Sequence, residues 1–288
     1  MPARSAVSAA EERLAANRAL TEGTTLPPRV ARDANVANLE SIHERLLREN
    51  KVELLRGHAR VVGPHEVDID GRRVTAERIL VATGSRPWLP TVEGIEHAIT
   101  SDGFFELKEQ PREVAVIGSG YIACELAGIL QALGTRVHLV FRAELPLRGF
   151  DGDLRRELDA AMRASGMEVH ASSVVRRIAP DGAGRFALEL SGPEGDRIIT
   201  VDRCLLYATG RKANIEGLGL EDVGVGLDAD GNVVSGDDGS TAVPSVVTTR
   251  AEAVAAQRSA TKDPKSPARN SDIVAASPGA ANSCHLHP

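Results

Sequence analysis

Residues 114–130 read VAVIGSGYIACELAGIL, and the change of spacing inside this run decides the fold. Four consecutive apolar residues, Val114 to Ile117, spell a buried strand that ends on Gly118. Beyond Gly120 the spacing becomes helical, with Ile122, Leu126, Ile129, Leu130 and Leu133 on one stripe and Gly134 as the stop. Gly118, Gly120 and Ala123 thus form a GxGxxA pattern at a strand-to-helix turn. Gly118 permits the tight turn, Gly120 lets a pyrophosphate approach the backbone, and Ala123 keeps helix and strand close. The helix N-terminus supplies free N–H groups and the positive end of its dipole, so the turn is read as a dinucleotide site.

Working outward, RVHLVF is the next strand, residues 151–165 form a helix through Leu154, Leu158 and Met162 closed by Gly166, and MEVHA is a third strand. Strand, helix, strand, helix, strand is half of a doubly wound parallel sheet. The end of its second strand selects the cofactor. An NAD site carries an acidic residue there to accept from the ribose 2′-hydroxyl, but this chain has Arg142 and, beyond AELPL, Arg148. Guanidinium groups form charge-assisted bonds to a 2′-phosphate, each worth roughly 1.5–3 kcal/mol before exposure discounts it. At about 1.4 kcal/mol per decade that is about tenfold or more, so the expected cofactor is NADPH.

On either side of this unit lie short strands. Leu39, Ile42, Leu46 and Leu47 mark a helix ending near Asn50, followed by strands in VELLRG, ARVVG, EVDID and RRVTA, with Asp70 and Gly71 as a hairpin turn. RILVATG is a further strand, after which Pro87 and Pro90 mark a crossover. VVRRIA, RFALEL and RIITV form a second meander and lead into CLLYATGRKAN. The two ends read differently: LPPR at 26–29 interrupts any earlier helix, and beyond about Thr248 the chain is rich in Ala, Ser and Pro with a single Leu, too poor in apolar side chains to offset its own ordering entropy.

The composition bounds the partners. With 288 residues and a net charge of −6 spread over mixed charges, the chain has the size of one large or two ordinary domains and no basic footprint for nucleic acid or anionic membrane. No apolar run approaches the roughly 20 residues of a membrane span, no secretory signal is legible, and Glu11 and Glu12 count against an organelle transit peptide. Only Cys124, Cys204 and Cys284 occur, none spaced as a zinc knuckle or redox pair, so the expected location is a reducing cytoplasm. No catalytic residue and no metal ligand set is assigned: CHLHP at the end, with Cys284, His285 and His287, is too sparse for one.

IGSGYIACELAGIL, FRAELPLRGFD and LLYATGRKANIEGLGLEDVGV together resemble the NADPH domain of glutathione-disulfide reductases, members of the FAD-containing pyridine nucleotide-disulfide oxidoreductases, over roughly residues 38–247. The resemblance implies that Tyr121 covers the nicotinamide-facing side of a flavin and swings aside, that Ile122 and Glu125 line the nicotinamide pocket, and that Ser119 sits by the pyrophosphate. It gives Arg142 and Arg148 the 2′-phosphate and has Gly210 and Arg211 close the site. It makes Ala59 a contact near the FAD adenine and places Thr83 and Gly84 at the first crossover out of the FAD domain. FAD enters by resemblance only.

The fold expected on this basis is α/β: a doubly wound Rossmann-like NADPH domain with a β-meander, plus a remnant of a second FAD-binding α/β domain. Its divisions are a divergent or disordered N-terminal segment at 1–34, the FAD-domain remnant at 35–90, the NADPH domain at 91–212, the start of a central FAD-domain segment at 213–247 and a disordered or frameshift-like tail at 248–288. The family's first GxGxxG, its CxxxxC pair, its GD motif and its C-terminal His and Glu, together with the homodimer domain, do not occur in these residues. The ends read as frameshifted or truncated. Reduction of glutathione disulfide is then expected only if another chain completes the enzyme, with a non-catalytic NADPH-binding module or a non-functional gene fragment as the alternatives.

Overall fold

The computed structural model describes residues 29–202, 204–249 and 273–276. They divide into two compact units, one holding Pro87–Gly210 with the chain up to Leu39, the other holding Glu40–Arg86 with the chain from Arg211.

The first unit is built on a parallel sheet. Strands β6 (Glu113–Ile117), β7 (Arg136–Val140), β8 (Glu168–His170) and β12 (Leu205–Tyr207) lie in the order β12-β6-β7-β8. Helix α3 (Tyr121–Ala132) connects β6 to β7, and α4 (Gly152–Ala164) connects β7 to β8. This is the strand–helix alternation expected from the sequence, and both faces of the sheet are covered. Val114, Val116, Val137, Leu139 and Leu206 pack toward Ala123, Leu126, Ala127 and Leu130 of α3 and Met162 of α4. Ala115, Ile117, Val140, Leu205 and Tyr207 pack instead against Ile178, Leu188, Leu190 and Val201 of an antiparallel meander, β9 (Val174–Pro180), β10 (Phe186–Gly192) and β11 (Gly195–Val201). Burial on both faces is why these strands read as unbroken apolar runs. At roughly 1.5–3 kcal/mol for each fully buried Val, Leu or Ile, the two layers hold the end of β6 firmly where the glycine turn begins. A short helix, α2 (Ser101–Phe105), precedes β6 and was not anticipated from the sequence.

The second unit carries an antiparallel meander, β1 (Ala59–Gly63), β2 (Glu66–Ile69) and β3 (Arg72–Thr75). Asp70 and Gly71 turn its second hairpin with positive φ angles of 48° and 90°, the geometry that a type I′ turn demands. Strand β4 (Arg78–Val81) lies between β14 (Val246–Thr248) and β15 (Ile273–Ala276), parallel to both, while β5 (Ser85–Pro87) pairs with β13 (Arg211–Ala213). Val61, Val67, Ile79, Val81, Ile215, Leu218 and Val246 form its core.

Three expectations are corrected. VELLRG is not a strand; the edge of β1 that it would join is occupied by Leu218, whose carbonyl accepts from the Val61 amide at 2.8 Å. Helix α1 (Arg29–Glu49) includes residues 29–34 of the segment read as divergent or disordered; Pro27 and Pro28 directly precede it in sequence, where proline suits a helix start. The tail read as unstructured from 248 contains the end of β14 and the whole of β15; the rest of that reading, like the readings of residues 1–28 and of Cys284, His285 and His287, lies outside the described residues.

Candidate functional site

The glycine turn joins β6 to α3. Gly118 has φ 136°, and a Cβ there would lie 2.3 Å from the Ala208 carbonyl oxygen, so a side chain is excluded by both backbone conformation and space. Its amide donates to the Val140 carbonyl at 2.9 Å, fixing the turn against β7. Gly120 differs: it caps α3 in extended conformation, and a Cβ there would meet nothing within 4 Å. The space above Gly120 is therefore open, at a helix end whose first amides have no partner within the helix. An anionic pyrophosphate fits such a turn. Ala123 is fully buried beneath it, as its role in close helix–strand packing requires.

The ten residues after β7 form no regular element and are tied down on three sides. Phe141 donates its amide to His170 and accepts from Ser173, and Ala143 accepts from Ser172, so the backbone is fixed on both sides of Arg142. Arg155 of α4 donates to the carbonyls of Pro146 and Leu145 at 2.7 and 3.0 Å. Leu147, buried and at φ 52°, donates its amide to the Ser119 carbonyl at 2.7 Å and so joins the loop to the glycine turn. Asp151 then caps α4, accepting from the amides of Asp153 and Leu154. Arg142 and Arg148 are exposed on this loop, and among the described residues neither guanidinium has an ion pair or side-chain hydrogen bond. By contrast Arg136, Arg156, Arg163, Arg177 and Arg185 in the same unit are all paired with carboxylates.

On α3, Tyr121 is 57% exposed and Glu125 is exposed one turn on, while Ile122 is partly buried against the core. Ser119 contributes its carbonyl to Leu147 and lies in the turn itself. Cys124 and Cys204 are buried, and burial pushes their thiols up to about 11 and about 12, so neither is a thiolate near neutral pH. Gly210 has φ 154°, and its carbonyl accepts from the Trp88 amide. Arg211 is already engaged: its guanidinium donates to the hydroxyl and carbonyl of Ser85.

In the second unit Ala59 begins β1, and Thr83 and Gly84 follow β4. Thr83 is buried, its hydroxyl without a hydrogen-bond partner among the described residues, while Asn214 donates to the carbonyls of Thr83 and Gly84. Among the described residues this unit has no strand that turns through glycines into a helix.

The sequence singles out the glycines and arginines but not Leu147 and Arg155, whose contacts fix the loop that carries the arginines, or the capping role of Asp151 at its end. Only Asp151, directly before an apolar-periodic run, carried a legible signal, that of an N-cap.

Comparison with known proteins agrees with this architecture. A family model described as pyridine nucleotide-disulphide oxidoreductase matches residues 3–248. The chain is 40% identical over 216 residues to a glutathione reductase of Burkholderia cepacia, covering 75% of this chain and 47% of that protein. It is 41% identical over 195 residues to a glutathione reductase of Nostoc sp., covering 67% of this chain and 41% of the relative. It is 36% identical over 217 residues to a chloroplastic/mitochondrial glutathione reductase of Pisum sativum, covering 75% and 38%. The chain belongs to the pyridine nucleotide-disulphide oxidoreductase family and is glutathione reductase-like within it. It spans less than half the length of these relatives. No described helix is long and apolar enough to cross a membrane.

Proposed function

We propose that this chain is the NADPH-binding part of a glutathione reductase-like flavoprotein. The pyrophosphate lies over Gly118, Ser119 and Gly120 at the N-terminus of α3, and Arg142 and Arg148 hold the 2′-phosphate. One observation carries the reading: the Leu147–Ser119 hydrogen bond of 2.7 Å ties a loop bearing two guanidinium groups, unpaired among the described residues, to a glycine turn with open space above it. Tyr121 and Glu125 lie on the exposed side of the same helix, which supports their facing the nicotinamide, with Ile122 beneath them. The Arg211 contacts with Ser85 support a role in bracing the backbone after Gly210 rather than in direct phosphate binding.

When bound, NADPH supplies a hydride; the residues present bind and orient it. Flavin as acceptor and glutathione disulfide as final substrate belong to the proposal only through the relatives. No CxxxxC pair occurs in the sequence, and Cys124 and Cys204 are buried, which favours binding without disulfide turnover by these residues alone. Titration of the purified chain with NADPH and NADH, read beside its visible spectrum, tests the proposal. NADPH bound at least tenfold more tightly than NADH, with no flavin absorbance, is the expected result. Equal affinities would overturn the cofactor assignment, and bound flavin with disulfide-dependent NADPH oxidation would overturn the restriction to binding.

A further inference from the structure

A second polar constellation lies in the first unit, away from the helix layer. Val137 and Leu139 of β7 belong to the helix-side core and Val140 to the meander side, so His138 projects toward the meander. In the parallel register His138 pairs with Glu168 and Val140 with His170, and residues two apart on a strand share a face. His138, Glu168 and His170 therefore converge. His138 Nδ1 is 3.2 Å from His170 Nε2 and 3.4 Å from Glu168 Oε2, and the three donor atoms all lie within 4.8 Å of one another.

These spacings are the edges of a small coordination polyhedron. With bonds of about 2.0–2.1 Å, a tetrahedral zinc ion separates neighbouring ligand atoms by about 3.3 Å. His138 Nε2 lies 3.1 Å from Glu113 Oε1, so a carboxylate stands behind the ring while Nδ1 faces Glu168 Oε2. A carboxylate behind a histidine is also the common support of a metal-bound imidazole. Arg136 holds Glu168 by Oε1 and leaves Oε2 for a ligand, while Arg136 and Arg185 balance the charge of Glu113. His138 is 4% exposed, whereas the Glu168 side chain is 40% exposed and offers a way in from solvent and room for water.

We propose that His138, Glu168 and His170 form a binding site for a zinc-class divalent cation, with water completing its shell. The two nitrogens and one carboxylate oxygen select zinc or cobalt over magnesium or calcium. The ion clamps β8, the edge strand of the sheet, to β7. This inference is independent of the dinucleotide reading.

The test is a titration of the untagged, chelator-treated full chain with Co²⁺, followed by Zn²⁺ and by thermal unfolding. One Co²⁺ per chain, with visible absorption of a low-coordinate site that Zn²⁺ abolishes, and a raised Tm are expected. His138→Gln and Glu168→Gln should each weaken binding at least tenfold, while a Cys284→Ser/His285→Gln/His287→Gln variant should leave it unchanged. Absence of binding overturns the site, as does binding lost only in the C-terminal variant. Should His138→Gln fail to fold, the partly exposed Glu168→Gln decides: undiminished affinity in that variant, with its circular dichroism intact, overturns the proposal.

Discussion

Gly118 and Gly120 look alike in sequence and do different work. A methyl group at Gly118 would sit 2.3 Å from a backbone oxygen at φ 136°, with no flexible neighbour to yield, so Gly118→Ala should destabilise the first unit by about 2–4 kcal/mol in denaturant unfolding. Gly120 is in extended conformation with open space beside it, and Gly120→Ala should leave the unfolding midpoint nearly unchanged while obstructing the dinucleotide. Equal stability losses in the two variants would contradict this division. The residue types were legible from spacing alone, because turn geometry and phosphate approach both restrict what can stand there. Arg142 and Arg148 were singled out in the same way, by their position after the second strand, and both are exposed on the loop there. What spacing could not convey is that Arg211 is engaged by Ser85, a partner 126 positions away.

At the scale of elements, α3 shows where periodicity misleads. The apolar stripe was read through Ile122, Leu126, Ile129, Leu130 and Leu133, yet the buried face is Ala123, Cys124, Leu126, Ala127 and Leu130, and Ile129 is exposed. Small residues let the helix approach the sheet, so the packing face centres on the alanines rather than on the bulkiest side chains. The loop after β7 was legible only as a carrier of arginines. Its order comes from backbone and Arg155 contacts and from the capped start of α4, which depend on tertiary neighbours. Removing that cap tests the account: Asp151→Ala should cost about 1 kcal/mol in chemical unfolding. It should also loosen NADPH binding by a few-fold, since the Asp151 cap directly follows the arginine-bearing loop; a variant with wild-type stability would show that the cap bears no load. VELLRG failed as a strand for a similar reason, because the adjacent edge was already taken.

For the whole molecule, the strand–helix alternation and the existence of a second meander were readable from alternating periods, whereas the stacking of the meander on the sheet face opposite the helices was not; the family followed from motifs that span both units. The pairing of β15 with β4 was not readable, since four residues in an Ala- and Ser-rich context carry too little pattern to be told from coil. The His138, Glu168 and His170 cluster was equally invisible, because its members meet only through strand register. The chain covers less than half of each relative named above. The most direct measurement is the affinity of Arg142→Ala for NADPH and for NADH beside that of the unaltered chain. Loss of a charge-assisted phosphate bond should weaken NADPH roughly tenfold or more and leave NADH within about twofold; an equal loss for both coenzymes would mean that this guanidinium does not hold the 2′-phosphate.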